Sequence, residues 1–274
     1  MQSGPRFLTL DDLNTLVNLT PSNVPANQPS TMHEQYGAIG QTFDGRIFRF
    51  VAFPGTTTIQ PGLLLVQPAA ATNSTGLAIS ATQPSTTATG SGATGASALA
   101  AGSLSFNVTN GATAVTQDEF GFVQILVSAG GTYQLKLRGN TLAAASGTIT
   151  LYLAEPLPPT ITTLIAGTDT VNLVKNEYTS PILATTTLAP VVGVTYVSVP
   201  QTSTAAYAGW VQTRGQAYVQ ATSGTVGYPV AQDVATNAGF VANLGAGAAE
   251  TQQTFGVFKT AAASSAATVF LTID

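Results

Sequence analysis

The chain has no cysteine, a single histidine and a single tryptophan, and only 7% of its 274 residues are charged. The absence of cysteine excludes disulfides and thiolate metal ligands. The lone histidine, His33, lies beside Glu34 in a Pro/Asn-rich stretch, and no GxSxG elbow occurs. Neither a histidine metal site nor a hydrolytic triad therefore has its parts. Eight basic residues scattered along a chain of net charge −4 form no stripe to track phosphates, so nucleic acid is not an expected partner. No apolar run approaches the roughly 18 residues of a membrane-spanning helix. The opening MQSGPRFLTL lacks the basic and apolar regions of a secretory leader. Neither a membrane partner nor export is expected.

Scarce charge has a second consequence. Average soluble proteins carry about 25% charged residues. Here Thr, Ser, Asn, Gln and small apolar groups must cover the surface, which weakens its electrostatic protection against association. Hydrophobic residues make up 44% of the chain, enough for a packed core. Much of the surface is expected to be covered by partners or sister subunits.

Along the chain, residues 1–35 read as an arm. Thr9–Asn18 (TLDDLNTLVN) carries the one helical pattern, with Thr9 as cap, Asp11 and Asp12 in the first turn, and Leu10, Leu13, Leu16 and Val17 at helical spacing. TPSNVPANQPST then favours irregular, extended backbone. From Tyr36 the period is two. QTFDGRIFRFVAF predicts a hairpin turning at Asp44-Gly45, its second strand apolar on both faces and so covered on both sides. PGLLLVQP adds a short strand. Residues 69–103 are Ala/Thr/Ser/Gly-rich and read as a long loop or weakly structured insertion.

Strands resume with FGFVQILVS, with TYQLKLR (Tyr133, Leu135 and Leu137 inward) and with TITLYLAEP (Ile149, Leu151 and Leu153 inward). EPLPP near residue 156 marks a domain boundary, and short strands continue as far as ATVFLTID. The resulting reading is all-β: two β-sandwich or barrel-like domains, or one large one, behind an N-terminal arm with a single short helix. The arm spans 1–35. The domains span 36–155, with the insertion 69–103, and 156–274.

The sequence offers no catalytic, metal or cofactor residue, and an enzyme is not expected. The adjacent carboxylates Asp11/Asp12 and Asp118/Glu119 fit a helix first turn and a chain turn. GSGATG at Gly90–Gly95 spells a dinucleotide fingerprint but sits in the low-complexity tract, without the flanking strand and helix that give the motif meaning. YAGWVQTRGQAYVQATSGTVG (Tyr207–Gly227) reads as two short strands pivoting at Arg214-Gly215, with Trp210 a core or interface anchor. Trp210 and Arg214 share one parity, and a bulge at Gly215 would change the facing of the residues after it.

YGAIGQTFDGRIFRFV with PGLLLVQP, GGTYQLKLRGNT with GTITLYLAEPL, NEYTSPIL, VVGVTYVSV, YAGWVQTRGQAYV…GTVGYPV and GFVANL…QTFGVFKTAAA occur in this order over most of residues 36–274. In this ordering the chain resembles virion structural proteins of tailed bacteriophages, in particular capsid decoration (cement, auxiliary head) proteins. The resemblance implies a β-rich protein on the outer capsid surface of a virion. Its partners would be the major capsid protein and its own copies, as a homotrimer, and its role would be to stabilise the shell. Phe7, Leu10, Leu13, Arg46, Arg49, Trp210 and Arg214 are the candidate capsid or subunit contacts. A head-fibre, tail or baseplate component, or a carbohydrate-binding adhesin module, is the alternative.

Overall fold

A computed structural model describes residues 6–18, 35–53, 58–67, 74–79, 102–127, 131–158, 169–184, 189–200, 207–233, 237–244, 253–262 and 265–273. His33, the GSGATG sequence and most of the stretch 69–103 lie outside them. Among the described residues the regular structure is strand apart from one short helix, as the period-two patterns require.

The chain divides into two compact units. The first draws on Met1–Asn23, Glu34–Ala71 and Glu177–Asp274, and the second on Thr72–Asn176 with Val24–His33. In chain order the first unit begins with β1 (Arg6–Phe7), α1 (Leu10–Asn14), β2 (Val17–Asn18), β3 (Ile39–Gln41), β4 (Ile47–Phe53) and β5 (Leu64–Val66). The second unit contains β6 (Ser74–Ala78), β7 (Ser105–Thr109), β8 (Phe120–Leu126), β9 (Thr132–Asn140), β10 (Thr148–Leu153) and β11 (Thr170–Lys175). The first then resumes with β12 (Ile182–Leu183), β13 (Val191–Thr195), β14 (Tyr207–Ala221), β15 (Pro229–Gln232), β16 (Val241–Asn243), β17 (Thr254–Phe258) and β18 (Ser265–Thr272).

The second unit is a six-stranded antiparallel sheet in the order β6-β11-β8-β9-β10-β7. An antiparallel bridge between Ile79, just past β6, and Val108 of β7 joins its two ends into a barrel. Its interior is filled by alternate residues, among them Phe106, Val123, Ile125, Ile149, Leu151, Val171 and Leu173, all fully buried. In β9, Leu137 is buried while Gln134, Lys136 and Arg138 are exposed, the alternation that TYQLKLR predicts.

This arrangement corrects two readings of the sequence. The boundary near residue 156 falls inside the second unit: Leu157 is 1% exposed in that unit's core, and β11, beyond the prolines, hydrogen-bonds to both β8 and β6. The Ala/Thr/Ser/Gly tract also contributes β6, whose Leu77 enters the same core. Strand formation there rests on pairing with β11 rather than on intrinsic propensity.

In the first unit β14 is the organising strand. It is one continuous strand of 15 residues where the sequence suggests two. Its first half lies between β4 and β13, and its second half runs along β18. From β18 the pairing passes through β17, β15 and β16, and the parallel contact Ala221↔Val241 returns it to β14, which closes a circuit. Val219, Val230, Val241, Phe255, Phe258, Val269 and Leu271 fill that circuit. Around β4, a further cluster holds Val51, Phe53, Ile59, Leu65 and Val211. Strand β4 is covered on both faces, as its sequence requires, and the Asp44-Gly45 turn joins it to β3.

The N-terminal helix is shorter than its apolar spacing suggests. Thr9 caps it and forms a reciprocal capping box with Asp12, and Thr15, in extended conformation, ends it. Val17–Asn18 leave the helix to pair with the start of β14. Backbone ladder bonds to an existing sheet outweigh one more helical turn in so short a segment.

Candidate functional site

The seven expected contact residues separate into three groups. Leu13 is fully buried and Trp210 is 3% exposed, both inside the first unit, so neither is available as an external contact. Trp210 meets Phe50 edge-on, with ring centroids 5.2 Å apart, and Phe50 stacks in turn on Tyr36. Burial energetics favour this core position for the largest side chain of the chain. It also removes Trp210 as a stacking platform for a sugar.

Arg46 and Arg49 are held within their own unit. Arg49 donates to the carbonyl of Gly37 at 3.0 Å and lies over the Tyr178 ring. Arg46 Nε is ion-paired to Asp44 at 2.8 Å, with its guanidinium 5.7 Å from the ring centroids of both Phe48 and Tyr196. The Thr42 hydroxyl donates to Asp44. That bond first, then the Arg46 backbone N–H and guanidinium, hold the Asp44 carboxyl below its ordinary value against the opposing effect of burial.

Phe7, Leu10 and Arg214 face solvent. Arg214 does so although Trp210 and Gln212, of the same parity, are buried. On the β4 side the register shifts between Gln212 and Arg214, and at this point the cover over that face of β14 ends. Gly215, at φ +92°, lets the stem of Arg46 cross the backbone, for a β-carbon there would sit 3.0 Å from Arg46 Cγ.

One exposed feature was not read from the sequence. Phe43, 88% exposed on the hairpin turn, stacks on Phe7 with ring centroids 5.5 Å apart and planes at 20°. Phe7 lies on β1, which pairs beside β3 at the end of the sheet among the described residues, and Leu10, 63% exposed, opens the helix that follows. An aromatic residue immediately before an Asp-Gly turn has little chance of burial, and that was the available signal. The outer face of the closed circuit adds a second apolar row, in which Phe270 lies opposite Val257 and Lys259 Nζ lies over the Phe270 ring.

A cleft of about 190 Å³ opens on the first unit, lined among others by Arg46, Pro61, Tyr196, Gln212, Gln216 and Tyr218. In the second unit Glu119 accepts from the Thr116 backbone and hydroxyl and pairs with Lys175 at 3.3 Å, so the Asp118/Glu119 pair serves a turn. Among the described residues there is no cluster of three metal-ligating side chains, and no helix is long and apolar enough to cross a membrane.

No family model, curated protein or solved structure matches this chain.

Proposed function

We propose that the protein is a structural virion component that docks on the outer surface of a tailed-phage capsid and stabilises the shell. The observation that carries this reading is the Phe7–Phe43 stack, one ring on β1 and one on the hairpin turn, both left largely in solvent. Burying a phenylalanine side chain yields about 1.5–3 kcal/mol, so a monomer that leaves two exposed side by side retains unused association energy. The scarcity of charge agrees, since few ions need desolvation when such a surface is covered. A protein that binds only the assembled shell stabilises that state by mass action. Self-association as a trimer belongs to the same reading, and analytical ultracentrifugation of the purified chain tests it.

The decisive experiment mixes the protein with expanded tailed-phage capsids stripped of their decoration protein, with sedimentation and a capsid melting curve as readouts. The wild type is expected to co-sediment and raise the capsid melting temperature. The double variant Phe7→Ala/Phe43→Ala is expected to bind at least about tenfold more weakly, as loss of an aromatic anchor predicts, with its own melting temperature unchanged. A wild-type protein that stays in the supernatant refutes the proposal.

A further inference from the structure

The cleft beside β14 has a chemical character distinct from the Phe7–Phe43 surface. Its floor is rigid. The Pro61-Gly62 turn is bonded to β13 through Gly62 N–H to the Thr195 carbonyl at 2.8 Å. It is bonded to β14 through Gln220, whose backbone N–H donates to Gly62 O at 2.8 Å and whose amide donates to Pro61 O at 3.0 Å. Gly62 has φ +80°, and a β-carbon on it would meet the Tyr218 ring at 2.8 Å. The tyrosine ring thus lies close against a glycine while 57% of the residue remains in solvent. Opposite, Tyr196 is positioned edge-on against Phe48, with ring centroids 5.8 Å apart.

Charge and bonding capacity narrow the ligand. Arg46 is the one cation lining the cleft, and its Nε already pairs with Asp44, whose side chain is 57% exposed. The Asp44 carboxylate already offsets much of the charge of this guanidinium, so a phosphate or carboxylate entering here gains little. A wholly apolar ligand would desolvate the Gln216 amide and the hydroxyls of Tyr196 and Tyr218, none of which makes a side-chain hydrogen bond among the described residues. An uncharged ring with an apolar C–H face and several hydroxyls satisfies both conditions. The volume is below the roughly 300–1,000 Å³ of sites for drug-sized ligands, so it suits one ring.

We infer that this cleft binds a single neutral pyranose unit of a glycan. The C–H face of the sugar lies on Tyr218, while the Gln216 amide and the free guanidinium nitrogens of Arg46 reach its hydroxyls. Docking on a capsid is not a premise of this inference, and the two are tested with different partners.

Saturation-transfer-difference NMR on the full chain provides the test, with millimolar methyl glycosides of glucose, galactose, mannose and N-acetylglucosamine as probes. At least one glycoside is expected to give transfer at its ring C–H protons. That transfer is expected to fall about tenfold or more in Tyr218→Ala and in Gln216→Ala, with unchanged melting temperatures. Because the Gln216 side chain is exposed and unbonded, its variant decides the matter should Tyr218→Ala fold poorly. Transfer from none of the glycosides, or transfer undiminished in Gln216→Ala, overturns the inference. Stronger binding of glucose 6-phosphate than of methyl glucoside overturns the assignment of an uncharged ligand.

Discussion

Asp12 shows how much of the N-terminal segment depends on one carboxylate. It accepts from the Thr9 backbone N–H at 2.8 Å and from the Thr9 hydroxyl at 2.7 Å, and it pairs with Arg6 of β1 at 2.5 Å. The backbone bond first, then the hydroxyl and Arg6, depress its pKa against a smaller opposing effect of burial. A depressed folded-state pKa gives stability that is present above the unfolded value, about 3.9, and lost as pH falls through the folded value. The cap and the Arg6 tie are therefore expected to hold from neutral pH down to about pH 4 and to loosen below it, by roughly the 0.5–2 kcal/mol of a helix cap. Amide NMR signals of Thr9 and Asp12 tracked through an acid titration check this. In Asp12→Asn the same signals should no longer report a carboxylate titration, and an unchanged acid transition there would place its cause elsewhere.

At the level of the element, β14 has to change neighbours part-way along its length, and Gln212 secures the change. Its buried amide donates to the carbonyls of Arg214 at 3.1 Å and Gln216 at 2.8 Å, and so spans the register shift. Replacing it by leucine keeps much of the volume and removes both bonds. Gln212→Leu is expected to lower global stability by about 1–3 kcal/mol, measured by urea unfolding, because carbonyls there lose a buried donor. A variant as stable as the wild type would show that packing alone carries the crossover.

This strand also marks how far the sequence was legible. Its strand character was legible, because period two reports burial directly, although two short strands were expected where one continuous strand runs. The hairpin at Asp44-Gly45 and the strands around Leu137 and Leu151 were readable for the same reason. A change of facing was expected at Arg214-Gly215, but its place between Gln212 and Arg214 was not legible, since a bulge depends on which partner strands arrive from distant parts of the chain. Strand β11 was missed because TVNLVK is short and comes after a proline-rich segment that reads as a linker. The cleft was invisible because Arg46, Tyr196 and Tyr218 come from separate strands and turns. Of the expected contacts, Leu13 and Trp210 failed as surface residues because large apolar side chains fit cores and interfaces alike.

On the scale of the whole molecule, the second unit is one nearly uninterrupted piece of chain with its own core and a barrel joined end to end by its own strands. Residues 72–176 expressed alone are expected to fold into a β protein with a single cooperative thermal transition, seen by circular dichroism and calorimetry. A disordered spectrum would mean that the barrel depends on residues outside this segment.

The two units also finish at different times during synthesis. The strands of the second emerge consecutively, so it can form once Asn176 has left the ribosome. The first needs both ends of the described chain: β14 stays without its longest partner until β18 has been made, while β1, β3 and β4 have been waiting since early in translation. A nascent chain therefore holds a finished barrel and an open-edged sheet at the same moment, and the unpaired edge of β14 is where a chaperone, or a neighbouring nascent chain, would first take hold.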